Sequence, residues 1–183
     1  LQTVLAPGHE ATTYVCLGPL TTLASAIGGR KELLPQLHRV IWYGESFPTF
    51  TGFNYTFDQS AADSVLRTKI RMDLISNAGD RDASPDPYFC ELSGKHGTPL
   101  SQVLSKVCSQ LSLAQSKGHR IMADELVSLY YTNPELFDMT VKHPQVYIRY
   151  NEGYDLQSVQ EVISDMITGD YVRGSSVVFA AFP

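Results

Sequence analysis

The fold is decided by Thr12-Thr13-Tyr14-Val15-Cys16-Leu17-Gly18-Pro19-Leu20-Thr21-Thr22-Leu23-Ala24-Ser25-Ala26. Its first half, Thr12 to Leu17, is β-branched and apolar, too short for a helix, and stops at Gly18. That reads as a buried strand. Pro19 follows where the first turn of a helix tolerates a missing N–H. Leu20, Leu23, Ala24 and Ile27 then recur at helical spacing, and Gly28-Gly29 closes the helix. The stretch is a strand, a tight turn and a helix. In an open parallel α/β sheet such a turn lies at the carboxyl edge, where ligands bind.

The same alternation continues outward. Arg30 to Leu37 reads as a short helix ended by Pro35, and His38 to Tyr43 as a second strand, apolar as a strand covered on both faces should be. A long loop with Pro48 and Gly52 leads to Asp58, an N-cap for a helix carrying Ala61, Ala62, Val65 and Leu66. Ile70 to Ile75 is a third strand, and Asn77 to Pro87 is loop. Thr98-Pro99 opens an amphipathic helix with Leu100, Val103, Leu104, Val107, Cys108 and Leu111 on one stripe. A further helix begins at Ala123-Asp124 and runs to Asn133-Pro134. Val146 to Tyr150 is a strand, Asp155 caps a helix burying Leu156, Val159, Val162, Ile163 and Met166, and Ser175 to Phe182 is a last strand. Strands alternating with helices predict an α/β fold: an open, mostly parallel sheet with helices on both faces. Residues 1–183 read as a single domain without repeats.

Composition narrows the function. The 183 residues are 43% hydrophobic and 18% charged, enough for a real core. A net charge of -5 gives no basic footprint for nucleic acid, and no apolar run approaches the length of a membrane span. Cys16, Cys90 and Cys108 lack metal-ligand spacing, and their odd number on apolar faces predicts buried free thiols, as in a reducing compartment. His9, His38, His96, His119 and His143 share no zinc spacing. There is no Gly-x-Ser-x-Gly elbow and no phosphate-cradling glycine loop. The chain opens without Met and reads as the larger, C-terminal part of a longer protein. Its compartment therefore stays open: cytoplasmic by default, with periplasmic or secreted not excluded.

Three segments carry a resemblance. Gly18-Pro19-Leu20-Thr21-Thr22-Leu23-Ala24 resembles the Gly-Pro-Leu-Thr-Asn-Leu-Ala turn of the nucleoside hydrolases, with Thr22 in place of Asn. Val40-Ile41-Trp42-Tyr43-Gly44, followed by Phe53-Asn54 and Asp58-Gln59-Ser60-Ala61-Ala62, is similar to that family's apolar strand and its Glu-Phe-Asn…Asp-Pro-Glu-Ala-Ala segment. Ala123-Asp124-Glu125-Leu126-Val127 and Asn133-Pro134-Glu135-Leu136-Phe137 resemble its His-Asp-Pro-Leu-Ala and Pro-Glu-Leu-Phe. The matches run in order from Thr12 to Phe137.

The resemblance implies a nucleoside hydrolase-like fold and hydrolysis of the N-glycosidic bond of a ribonucleoside, with Ca2+ as cofactor in the intact parent. It implies metal ligation by the Leu17 carbonyl and the Asp124 carboxylate, and substrate binding by Asn54 and by Tyr43. The implied partner is a small nucleoside or riboside, without nucleic acid or membrane, in a protein compatible with a homo-oligomer. Departures from the pattern are as specific. The family's N-terminal aspartate cluster is lacking, Gly52 stands where it has a ribose-binding Glu, and Ala123 stands where it has a His that protonates the leaving group. Those departures keep a second reading open: a catalytically silent ligand-binding domain that retains the fold. The residues have structural alternatives too. Asp124 and Asp58 suit helix N-termini, Asn54 suits loop backbone groups, and Glu45, Asn77 and His119 suit exposed loops.

Overall fold

The computed structural model describes residues 11–44, 47–76, 88–112, 124–143 and 146–170. The expected final strand, Ser175 to Phe182, and the loop from Asn77 to Pro87 lie outside the described residues, as do Ala123, Glu45, His9 and His119. The chain divides into two compact units, Leu1–Asp82 with Ile121–Leu156 and Ala83–Arg120 with Gln157–Pro183.

The first unit is built on a five-stranded sheet. Its strands are β1 (Thr12–Cys16), β2 (Leu37–Tyr43), β3 (Met72–Ile75), β4 (Phe137–His143) and β5 (Ile148–Tyr154), in the order β1-β2-β3-β5-β4. β1, β2, β3 and β5 are parallel; β4 returns antiparallel on β5. The mostly parallel α/β expectation holds. β4 was not expected, because an edge strand with an exposed tip gives no continuous apolar run. The expected strand from Val146 begins at Ile148 and runs on to Tyr154.

Alternation along the strands sends one set of side chains to each face. Cys16, Val40, Trp42, Met72, Leu74 and Ile148 point to one side and pack with α1 (Thr21–Ile27) and α3 (Gln59–Leu66) through Leu23, Ile27, Ala62 and Val65. Trp42, Leu23 and Leu74 are fully buried there. The opposite side, carrying Ile41, Asp73 and Ile75, is covered by α6 (Asp124–Thr132) with Leu126, Val127 and Tyr130 buried. Helices therefore cover both faces. Pro19 lies two residues before α1 rather than in its first turn, since Leu20 is the N-cap. Lys31–Gln36 is a 3-10 helix that contains Pro35. Asp58 caps α3 as expected, its Oδ1 accepting from the Ala61 N–H at 3.0 Å. The expected loop between β2 and α3 holds the short helix α2 (Phe53–Phe57).

The second unit contains α4 (Tyr88–Lys95), α5 (Pro99–Ser112) and most of α7 (Leu156–Thr168). Thr98 caps α5, accepting from the Ser101 N–H at 3.1 Å while its hydroxyl donates to the Ile167 carbonyl at 2.7 Å. Two expectations are corrected here. The α5 stripe splits: Leu100, Val103 and Val107 are exposed, whereas Ser101 and Cys108 are buried. Cys90 and Cys108 are not free thiols but a disulfide with Cα atoms 5.7 Å apart. The turn at His96-Gly97 folds α5 back on α4, bringing together cysteines that the sequence holds 18 residues apart. In α7, Val159 and Ile163 are buried as expected, and Ile167 joins them.

Candidate functional site

At the carboxyl edge of the sheet, β1 ends and the chain turns through Leu17, Gly18 and Pro19. The carbonyls of this turn point inward, where side chains claim them. The Trp42 indole N–H donates to the Gly18 carbonyl at 3.0 Å, and the Cys16 thiol donates to the same oxygen at 3.1 Å. The Asn54 Nδ2 donates to the Leu17 carbonyl at 3.1 Å and to the Tyr43 carbonyl at 2.9 Å. One buried amide thus ties the ends of β1 and β2. Both partners are acceptors, so the amide must present its two N–H groups to them and its Oδ1 elsewhere.

Local sequence explains why Asn54 reaches that position. Gly52 is the extended N-cap of α2, and its carbonyl accepts from the Thr56 N–H at 3.1 Å. This single helical turn buries Asn54 while exposing Phe53 and Phe57 on its outer side. Gly44 leaves β2 at φ +89, a left-handed conformation that suits glycine. A Cβ there would stand 3.4 Å from the Asn54 Nδ2.

A second asparagine does the same work farther along the edge. Where β5 outruns β3, the fully buried Asn151 accepts from the Ser76 N–H at 2.6 Å and donates to the Ser76 carbonyl at 2.9 Å. The Ser76 hydroxyl donates to the Tyr150 oxygen at 2.8 Å. Sequence reasoning missed Asn151. The available signal was an amide in the middle of a segment otherwise rich in strand-forming residues.

Leu17, Asn54 and Tyr43 are therefore assembled by direct bonds. Leu17 contributes only its carbonyl, its side chain being half-exposed. Tyr43 is half-buried, and its phenol is pushed up to about 12, first by burial and then by the negative charges of Asp124, Tyr154 and Glu125. It keeps its proton at any physiological pH and can act as a neutral hydrogen-bond donor. Asp124 is the exposed first residue of α6, and partial burial of its carboxyl raises its pKa. Its charge acts on the Tyr43 phenol. As a helix's first residue it also complements the positive end of α6.

The fit of calcium can be judged from these donors. A calcium ion takes about 6–8 oxygens. This chain offers the Leu17 carbonyl, which already accepts from Asn54, and the Asp124 carboxylate. Among the described residues no group of three or more His, Cys, Asp or Glu side chains is arranged to hold a metal. These residues do not by themselves make a calcium cage.

The family profile described as inosine-uridine preferring nucleoside hydrolase matches residues 1–179. No curated protein sequence matches the chain. Among solved structures, the purine-preferring ribonucleoside hydrolase from Gardnerella vaginalis aligns over 92% of this chain and 64% of its own, with TM-score 0.69 and 15% identity. The inosine-uridine preferring nucleoside hydrolase from Bacillus anthracis aligns over 91% and 63%, with TM-score 0.72 and 17% identity. The type III effector protein XopQ, solved with adenosine diphosphate ribose, aligns over 93% and 64%, with TM-score 0.71 and 13% identity. At these identities the structures share the fold, and the chain spans just under two thirds of their length.

Proposed function

Because the chain belongs to the inosine-uridine preferring nucleoside hydrolase family, we propose that the complete protein hydrolyses the N-glycosidic bond of a ribonucleoside. This chain would supply one wall of the ribose site. The observation that carries the reading is the Asn54 clasp, which gathers the Leu17 and Tyr43 strand ends. The Asn54 Oδ1 would accept from a ribose hydroxyl. The Tyr43 phenol, protonated throughout the neutral range, would donate to a ribose oxygen or to the departing base. In the reaction a water oxygen bonds to the anomeric carbon as its bond to the base nitrogen breaks, and the base leaves with a proton. Ala123 offers no proton, and general acid assistance is worth ~10²–10⁴-fold. Any calcium would need oxygens beyond Leu17 and Asp124.

A second reading is favoured by Gly52 and Ala123: a riboside-binding protein without turnover. The ribose of the ligand held by one structural neighbour is compatible with either. Two measurements separate them. Residues 1–183 alone should hydrolyse inosine and uridine at no more than background, with or without added calcium, while saturation-transfer NMR detects inosine binding that Asn54→Ala abolishes. The full-length protein should turn inosine or uridine over. If it binds but does not hydrolyse, the silent reading stands. If neither protein binds a riboside, both readings fall.

A further inference from the structure

The opposite end of the sheet carries a cluster that the riboside reading does not use. Asp73, fully buried near the start of β3, accepts from the Arg39 Nη1 at 2.9 Å, the Arg71 Nε at 3.3 Å and the Tyr130 hydroxyl at 2.8 Å. The Arg149 Nη1 stands 4.0 Å from the same carboxylate and donates to the Tyr130 oxygen at 3.4 Å. Three guanidiniums thus share one carboxylate, and among the described residues two positive charges remain without a counterion. Arg39 also lies over the Tyr130 ring, 5.7 Å from its centroid. Its Nε is buried without a hydrogen-bond partner, alone in this among the side-chain atoms of the described residues. A buried donor left unpaired is costly, and a bound ion is one way in which such a donor is satisfied.

The cluster is open to solvent on one side. The arginine side chains are 18% (Arg39), 32% (Arg149) and 35% (Arg71) exposed, whereas Asp73 is 0% exposed. Arg71, though not Arg39 or Arg149, also lines a cavity of about 310 Å³, with Thr68, Lys69 and Tyr147 beside the apolar Leu34, Leu37 and Ile70. Lys69 and Tyr147 both hold left-handed backbone, at φ 60 and φ 57. Non-glycine residues in that region carry strain that the surroundings must enforce, and such residues gather at ligand sites. Guanidinium forks match the oxygens of a phosphate in pairs.

We propose that Arg39, Arg71 and Arg149 form a phosphate-binding site at the amino edge of the sheet, with Asp73 and Tyr130 holding the guanidiniums in place. A dianion matches the two unneutralised charges. Phosphate, free or as a monoester, is thus the ligand class. The site is separate from the carboxyl-edge clasp and independent of the riboside reading.

The test is titration of the protein with inorganic phosphate at pH 8, followed by calorimetry and by thermal unfolding at constant ionic strength. Binding should saturate, raise Tm, and weaken at least tenfold in Arg71→Gln and in Arg149→Gln. Asn54→Ala should leave it intact. Glycerol 2-phosphate serves as the monoester arm: tighter binding than phosphate makes a monoester the ligand, and weaker binding makes it the free ion. In the unsubstituted protein, the side-chain N–H spectrum should show the Arg39 Nε–H resonance moving with phosphate, a readout that needs no variant to fold. Sodium chloride or acetate reproducing the Tm rise would overturn the proposal. So would an Arg39 signal that ignores phosphate, or affinity unchanged in both arginine variants.

Discussion

The two ends of the sheet bury polar groups in opposite ways. At the carboxyl edge, Asn54 and Asn151 clamp backbone groups with neutral amides, and each strand end is fixed by bonds between uncharged partners. At the amino edge, Asp73 faces three arginines and a phenol, and charge is left over. Neutral amide clasps cost little desolvation and complete themselves within the chain. An ionic cluster costs far more to desolvate, and its stability depends on every partner being present. The carboxyl edge is therefore set up to hold a shape, and the amino edge to hold a charge.

The sharpest way to break this contrast is Asp73→Ala. Removing the carboxylate leaves three arginines crowded around an empty position, and a loss of roughly 3–5 kcal/mol is expected by urea unfolding. A loss under ~1 kcal/mol would mean that water already solvates the arginines and that the cluster is not a buried one. Asn54→Ala comes next, at about 2 kcal/mol, because it strips donors from the Leu17 and Tyr43 carbonyls. Asn54→Asp should cost at least as much, since a carboxylate offers those carbonyls no N–H. If both variants unfold like the parent protein, the clasp is not structural and only a ligand role remains for Asn54.

Smaller effects sharpen the comparison. Tyr130→Phe removes one donor to the Asp73 carboxylate while keeping the ring over Arg39, so about 1.5 kcal/mol should be lost. The smallest effect is a pH dependence at Asp58. The Thr21 hydroxyl, and then the Ala61 N–H, hold this exposed carboxyl below its usual range. A depressed folded-state pKa adds stability above the unfolded value, about 3.9, that is lost as pH falls through the folded one. Thermal unfolding between pH 6 and pH 2 should therefore fall less steeply in Asp58→Asn. An identical profile would show that the cap bonds do not discriminate between the ionised and protonated carboxyl.

Strands buried on both faces were legible because nothing interrupts their apolar runs; Val40-Ile41-Trp42 could hardly be read otherwise. The position of Asn54 was also legible, but its partners were not, since Leu17 lies 37 residues away and hydrogen-bond geometry leaves no sequence period. β4 escaped because an edge strand need be apolar on one side only, and its tip is exposed. The disulfide escaped because a helical turn-back, not spacing, pairs Cys90 with Cys108. Asp73 was in plain view inside an apolar strand. A carboxylate there demands buried partners, and Arg39 and Arg71 sit nearby in sequence, yet only the fold adds Arg149 and Tyr130.

Cys16 makes the turn after β1 observable in real time. Its thiol is buried, donates to the Gly18 carbonyl, and is pushed up to about 11 chiefly by burial. A thiol that stays protonated and covered reacts slowly with alkylating reagents, because the thiolate is the nucleophile. It is also the one free cysteine, the other two being joined to each other. The mass gained by pulsed alkylation therefore counts openings of a single place in the molecule, the turn that Asn54 and Trp42 hold shut. A ligand seated at the carboxyl edge would slow that clock without changing its chemistry.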